Sequence, residues 1–151
     1  MTDLERRDFE YLLKKQGQID KVEGKLEQCH KVCLVKLNGE SVGIGALKQV
    51  YKSPFNYAGV NEIQYEYNYE VGYLFVDKET IDKDSGSLGL GKYITRLLLN
   101  EVAKENVFAT TEYNKENPMF YILKSFGFKI SGNPYQGKTT KKEIVLMVLN
   151  R

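Results

Sequence analysis

The sequence predicts an α+β domain, a mixed sheet accompanied by helices. Three observations predict it. Residues 32–37 and 41–51 are β-rich runs joined by Asn38-Gly39, a strong two-residue hairpin signal. The aromatic and β-branched run 69–76 leads through a glycine-rich segment into Leu90, Ile94, Leu97, Leu98 and Val102, which recur at helical spacing. Residues 144–149 are continuously apolar, the pattern of a strand buried on both faces.

Size and composition set the frame. A chain of 151 residues is one ordinary domain with room for a sizeable core. Its 42% hydrophobic and 28% charged content fits a soluble globular protein. A net charge of +2 is too small to argue for nucleic acid or an anionic membrane, so neither is expected as a partner. No run approaches the length of a membrane span, and residues 1–5 lack the basic-then-apolar order of a signal peptide; a cytoplasmic location is expected. Cys29, His30 and Cys33 supply three potential metal ligands at poor spacing with no fourth nearby. The two cysteines read instead as buried or half-buried thiols at the edge of a strand in a reducing cytosol, and no metal is expected.

In chain order, residues 3–16 form an amphipathic helix with Leu4, Phe9, Leu12 and Leu13 on one face, ended by Gly17. Residues 19–28 read as a second, shorter helix with Asp20 as cap. The hairpin follows; Gly43 and Gly45 in its returning strand point to a close neighbour. Residues 52–62, with Pro54 and Gly59, read as a long loop. Tyr57, Tyr65, Tyr67 and Tyr69 crowd this loop and the next strand, either as half-buried strand tyrosines with wet hydroxyls or as an aromatic wall beside a pocket. After the strand 69–76 comes a polar stretch, 77–85, then the glycine turn and its helix. Residues 107–111 are the next strand and 115–126 the next helix, stopped by Gly127. Residues 128–130 begin a strand, 132–138 turn, and 144–149 close the order ααββ–β–α–β–α–ββ.

The glycine turn, Gly86-Ser87-Leu88-Gly89-Leu90-Gly91, is where chemistry is first expected. A helix start leaves backbone N–H groups without internal partners and adds partial positive charge. Glycines let a polyanion approach those groups with no Cβ in the way, so the turn reads as a phosphate or pyrophosphate cradle, or as a βα turn whose glycines serve packing alone. The dinucleotide fingerprint has the reverse glycine spacing, and a P-loop would need Ser or Thr after Gly91-Lys92, where Tyr93 stands. A third design is the acyl-CoA turn, in which Gln or Arg is followed by two residues, Gly, one residue, and Gly or Ala. Gly89 and Gly91 fit it.

With that turn, and with the run Asn117-Pro118-Met119-Phe120-Tyr121-Ile122-Leu123-Lys124-Ser125-Phe126-Gly127-Phe128 matching a late helix that ends in Gly-Phe, the chain resembles the GCN5-related N-acetyltransferases along nearly its whole length. The resemblance implies a mixed, mostly antiparallel central sheet flanked by helices, acetyl-CoA as cosubstrate, an amine acceptor, and, as in many relatives, a possible homodimer. It implies that the strand 69–76 carries a bulge and that backbone groups of Leu74, Phe75 and Val76 hold the pantetheine arm. The pyrophosphate contacts carry over to the backbone of Leu88, Gly89, Leu90, Gly91 and Lys92. Gly86 stands where relatives carry Gln or Arg, so Ser87 is left to supply a hydroxyl.

Acetyl transfer needs a neutral amine and a donor for the oxygen that gains charge. By resemblance Glu70 is the general base. Relatives place a tyrosine, the acid for the departing thiolate, where this chain has Leu123, which leaves Tyr121 and Tyr113 as the alternatives. Asn117 lies close to the asparagine that contacts pantetheine in relatives, although strict register puts Glu116 there and Asn114 is a further option. The early helical region overhangs the acceptor site in relatives. Glu62, Glu66 and Glu70 favour a small cationic amine or metabolite as acceptor; a peptide or protein amine, or a non-catalytic acyl-CoA-binding module, are the alternatives.

Overall fold

A computed structural model describes residues 1–49, 52–81, 89–138 and 141–151. Its packing divides into two compact units, Met1–Lys48 with Val71–Glu101, and Gln49–Glu70 with Val102–Arg151.

In the first unit, helix α1 (Asp3–Gln16) starts where the Thr2 hydroxyl accepts from the Glu5 N–H and the Glu5 carboxylate accepts from the Thr2 N–H, a capping box. It ends on Gly17, whose φ of 81° is the left-handed conformation expected at a helix stop. Between Gly17 and Gly24 the expected second helix does not form. Gly24 sits at φ 82°, and only a 3-10 turn at Leu26–Gln28 follows. The run between the two glycines is too short to repay helix nucleation. Ile19 and Val22 nevertheless pack against the core of Phe9, Leu12, Leu13 and Ile44.

Strands β1 (Cys29–Leu37) and β2 (Glu40–Lys48) form the hairpin, with Asn38 and Gly39 both at positive φ as a type I′ turn requires. Strand β3 (Tyr69–Val76) follows, and helix α3 (Leu90–Glu101) buries Leu90, Ile94, Leu98 and Leu99. Gly43 and Gly45 explain themselves here. A Cβ on Gly45 would lie 2.5 Å from Ile94 Cγ2, and one on Gly43 3.1 Å from Ile94 Cδ1. The glycines let α3 sit close on the strand.

In the second unit the expected loop 52–62 is partly helical. Helix α2 (Ser53–Tyr57) has Pro54 in its first turn, where a missing N–H costs nothing, and a 3-10 segment spans Asn61–Glu66. Phe55 and Ala58 are fully buried, and their burial holds the segment down. Strand β4 (Val107–Glu112) leads to helix α4 (Pro118–Ser125), with Asn117 as N-cap and Gly127 at φ 96° beyond its end. Strand β5 (Lys129–Gln136) continues through the residues expected to turn. Gly132 at φ 73° and Pro134 are absorbed in a register irregularity between Ser131 and Tyr135, on an edge strand where proline is tolerated. Strand β6 (Glu143–Leu149) is buried along its centre.

The strand order is β1-β2-β3-β4-β6-β5. The β1–β2, β4–β6 and β5–β6 pairs are antiparallel and the β3–β4 pair is parallel. No helix among the described residues is long and apolar enough to cross a membrane.

Candidate functional site

The first unit contains the strand, turn and helix start on which the sequence centred. In an extended strand consecutive side chains alternate between faces. In β3 they do not. A Cβ on Gly72 would touch the Lys48 side chain, and the Lys48 ammonium lies 4.3 Å from the centroid of the Tyr73 ring, so residues 72 and 73 share a face. Tyr73 has φ 55°, a value bulky L-residues avoid. Two neighbours on one face with one residue out of the β region is the geometry of a β-bulge, the feature implied by the family resemblance.

Beyond the bulge the alternation resumes. Tyr73 and Phe75 pack on the α1 core, while Leu74 lies toward α3, within 3.2 Å of a Cβ on Gly45. The Asp77 N–H donates to the Val42 carbonyl at 2.7 Å, and the Phe75 carbonyl lies against Gly43. These backbone groups therefore face β2. Those of Leu74 and Val76 face the opposite edge, and the recorded pairing of β3 with β4 consists of Tyr69 with Val107 and Glu70 with Phe108. Of the three residues expected to hold the pantetheine arm, the backbone groups of Leu74 and Val76 point away from β2 and those of Phe75 point toward it.

The α1 terminus closes on this edge. Gln16 Nε2 donates to the Leu74 carbonyl at 2.6 Å, and Gln16 Oε1 is buried with no hydrogen-bond partner. Lys15 donates to both oxygens of Asp77, at 3.1 and 2.9 Å, and pairs with Glu79 at 3.0 Å. Burial pushes the Asp77 carboxyl up, and hydrogen bonds from Lys15 and Thr80 outweigh it, leaving the group below its ordinary value. The hydrogen bonds to Asp77 and then Glu79 hold the Lys15 ammonium above its usual range.

Gly86, Ser87 and Leu88 lie outside the described residues. Gly89 has φ 68° with nothing among the described residues within 4 Å of a would-be Cβ, and its carbonyl accepts the first helical bond of α3, from the Tyr93 N–H at 3.0 Å. The N–H groups of Leu90, Gly91 and Lys92 precede that bond, which is where helix geometry leaves donors free. The Lys92 side chain is exposed. These features fit an acyl-CoA: strand-edge backbone groups turned away from β2 for a polyamide arm, a buried acceptor without a donor among the described residues, and a helix start after Gly89 for a pyrophosphate.

The second unit carries the expected acid–base groups. Glu70 is 5% exposed, and its register partner Phe108 puts it on the face of Val148, Leu146 and Tyr135. Segment 53–67 covers that face through Phe55 and Tyr67, with Phe55 4.9 Å edge-on to Phe108 and 5.5 Å stacked on Tyr67. Burial first, then the charges of Glu70 and Tyr57, push the Tyr135 phenol up to about 12. The Tyr57 and Tyr135 rings are 5.5 Å apart. Sequence reasoning weighed Tyr57 and Tyr67 as wall residues and missed Tyr135, because Gly132 and Pro134 mark its segment as a turn. Its isolated aromatic in a polar run was the available signal.

Tyr113 and Tyr121 are about half exposed, each beside Phe120, at 5.6 and 5.5 Å. At about 3.3 Å per residue, β4 carries Tyr113 roughly 16 Å past the level of Phe108, so it is not brought together with Glu70. Leu123 is fully buried. Asn117 is engaged in structure: its Oδ1 accepts from the Met119 N–H, and its Nδ2 donates to Thr111 Oγ1 and to the Glu112 carbonyl, both at 2.8 Å.

Cys29 and Cys33 are free and half-buried; burial pushes Cys29 up to about 11 and raises Cys33 as well. Among the described residues no three His, Cys, Asp or Glu side chains gather to hold a metal ion.

No known family profile matches the chain, and no curated protein does. Solved structures do. An N-acyl amino acid synthase from uncultured soil microbes aligns at TM-score 0.71 and 16% identity over 99% of this chain and 86% of that one. An Arabidopsis thaliana protein in complex with the bisubstrate analogue CoA-Ac-MVNAL aligns at 0.69 and 15% over 100% and 95%. The aminoglycoside 6'-N-acetyltransferase of Enterococcus faecium aligns at 0.64 and 14% over 95% and 89%. The chain has the acyl-CoA N-acyltransferase fold of the GCN5-related N-acetyltransferases.

Proposed function

We propose that this protein is an acetyl-CoA-dependent N-acetyltransferase that moves an acetyl group to a primary amine by direct attack in a ternary complex. The observation that carries the reading is the bulge at Gly72–Tyr73, which turns the Leu74 and Val76 backbone away from β2. When bound, acetyl-CoA supplies an activated thioester carbonyl. The amides of Leu74 and Val76 hold its arm, and the N–H groups of Leu90, Gly91 and Lys92, with Gly89, Gly86, Ser87 and Leu88 before them, receive the pyrophosphate.

Glu70 takes the proton from the acceptor ammonium, directly or through one water, since a lysine-type amine with a pKa of about 10.4 is otherwise charged at neutral pH. A carboxylate walled by Tyr135, Tyr57 and Phe108 suits a small cationic amine, because aromatic faces and one negative charge both attract cations. No enzymic acid is required, since a thiol with a pKa of about 8.5 leaves readily as thiolate. Tyr121 and Tyr113 remain the side chains to test for that role.

The test is a thermal-unfolding scan with acetyl-CoA, CoA, ATP and NAD, followed by assay of CoA release with polyamines, aminoglycosides and peptides. Stabilisation by acetyl-CoA and CoA alone, with turnover of a polyamine or aminoglycoside, is expected. A ligand at about 100 times its dissociation constant stabilises by roughly 2.7 kcal/mol, a readily measured shift. Absence of a shift with either CoA overturns the reading. The fully buried Leu123, standing where relatives carry a tyrosine, favours a second reading, a non-catalytic acyl-CoA-binding module. CoA binding without turnover of any amine would select it; turnover of peptides alone would move the acceptor to a peptide or protein amine.

A further inference from the structure

Gln16 is the one described residue with a buried side-chain polar atom lacking a partner. The direction of its amide is fixed. A flip would set the side-chain carbonyl against the Leu74 carbonyl, two acceptors face to face, whereas the observed orientation gives an N–H···O bond of 2.6 Å. The orphan is therefore an acceptor, and whatever completes it must bring an N–H or O–H. Gln16 is also held in place. It ends α1, whose preceding residue Lys15 is tied to Asp77 and whose Leu12 and Leu13 are fully buried. The Leu74 carbonyl it binds is on the strand edge that faces away from β2.

We infer that Gln16 is a cosubstrate-binding residue, which spends its amide N–H on the Leu74 carbonyl and accepts, on Oε1, an amide N–H of the pantetheine arm. The inference rests on the acetyl-CoA reading above. A primary carboxamide suits the position because it both donates and accepts. It passes the polarity of the Leu74 carbonyl through the carboxamide, so that the arm meets an acceptor from α1 as well as one from β3. The pantetheine arm has secondary amides to offer, while the nucleotide half of CoA lacks them, and the contact should separate the two halves of the ligand.

Calorimetric titration of wild type and Gln16→Met with CoA and with ADP tests this. Loss of one hydrogen bond predicts that the variant binds CoA about five- to tenfold more weakly, with ADP affinity unchanged. Equal CoA affinity in both proteins, or an equal loss for both ligands, overturns the inference. Wild type that binds no CoA overturns the acetyl-CoA reading and this inference with it. If Gln16→Met fails to fold, nitrogen-15 NMR of the wild type decides: the Gln16 side-chain amide resonances should shift on saturation with CoA and stay fixed with ADP. No shift with CoA is the contrary result.

Discussion

The Lys48 ammonium sits 4.3 Å from the centre of the Tyr73 ring, over a residue whose backbone is at φ 55°. The ring packs on the α1 core, so the left-handed backbone is held by the side chain it carries. Tyr73→Val should be destabilising by about 2–3 kcal/mol, because a β-branched residue tolerates that φ poorly and the ring's packing is lost. Tyr73→Phe, which keeps ring and backbone, should cost less. Denaturant unfolding and CoA titration of both variants check this. If Tyr73→Val matches wild type in CoA affinity, the bulge does not present the Leu74 edge.

Gly45→Ala tests the seat of α3. Its Cβ would lie 2.5 Å from Ile94 Cγ2, 3.1 Å from Leu98 Cδ1 and 3.2 Å from Leu74 Cδ2, so helix and strand must separate. Overpacking of this kind costs about 1–3 kcal/mol. Gly43→Ala has one tight contact, Ile94 Cδ1 at 3.1 Å, the movable tip of a side chain, with the Phe75 carbonyl oxygen and Val35 Cβ at an ordinary 3.6 Å, and should cost less. The order of the two unfolding midpoints is the check, and equal midpoints would count against a close-packed interface.

Local rules made most of the fold legible. Gly17 and the apolar face of 3–16 mark α1, and Asn38-Gly39 specifies the hairpin. The errors lie where tertiary burial overrides local pattern. Pro54 and Gly59 punctuate a loop, yet Phe55 finds a fully buried place and the segment winds up around it. Gly132 and Pro134 signal a turn, yet the Asn133 N–H bonds to the Ala58 carbonyl at 2.9 Å and the strand runs on. The site follows the same division. The glycine turn and Glu70 have sequence signatures; Gln16 and Tyr135 are placed by neighbours distant in sequence, which periodicity does not report.

Asn117→Ala should cost about 2 kcal/mol. It removes an N-cap, worth about 1 kcal/mol, leaves Thr111 Oγ1 without the Asn117 donor, and leaves the Glu112 carbonyl with the Asn114 N–H alone. The wild-type and variant dissociation constants for CoA then separate two roles. A change within twofold makes Asn117 a structural cap; a larger loss, in a variant shown to be folded, returns it to the cosubstrate site.

The Lys15–Asp77 pair sets an acid limit. The folded Asp77 carboxyl titrates below its ordinary value, so between the two values the unfolded chain binds more protons and stability rises with pH. The contribution is complete above about pH 4, near the unfolded carboxyl value, and is lost as pH falls through the depressed folded value. Lys15 is shifted upward, so its contribution holds below about pH 10.4 and fades only in strong alkali. Asp77→Asn should melt lower than wild type at neutral pH, and the two melting curves should converge as the pH drops from about 5 toward 2. A gap that stays constant over that range would mean the charge on Asp77 is not what fastens α1 to the end of β3.

Glu70→Gln isolates the proposed base. The amide matches the carboxylate in size and can keep its place on the Phe108 face, so stability and CoA affinity should change little. Loss of a general base lowers kcat by about 10²–10⁴-fold. Rate against pH adds a readout that a structural role would not move. In Glu70→Gln the residual rate should rise with the fraction of free amine, so its pH profile should follow the acceptor's own ionisation. A variant that loses turnover but keeps the wild-type pH profile would move the base elsewhere. Undiminished turnover would leave Glu70 as a buried charge serving the strand alone.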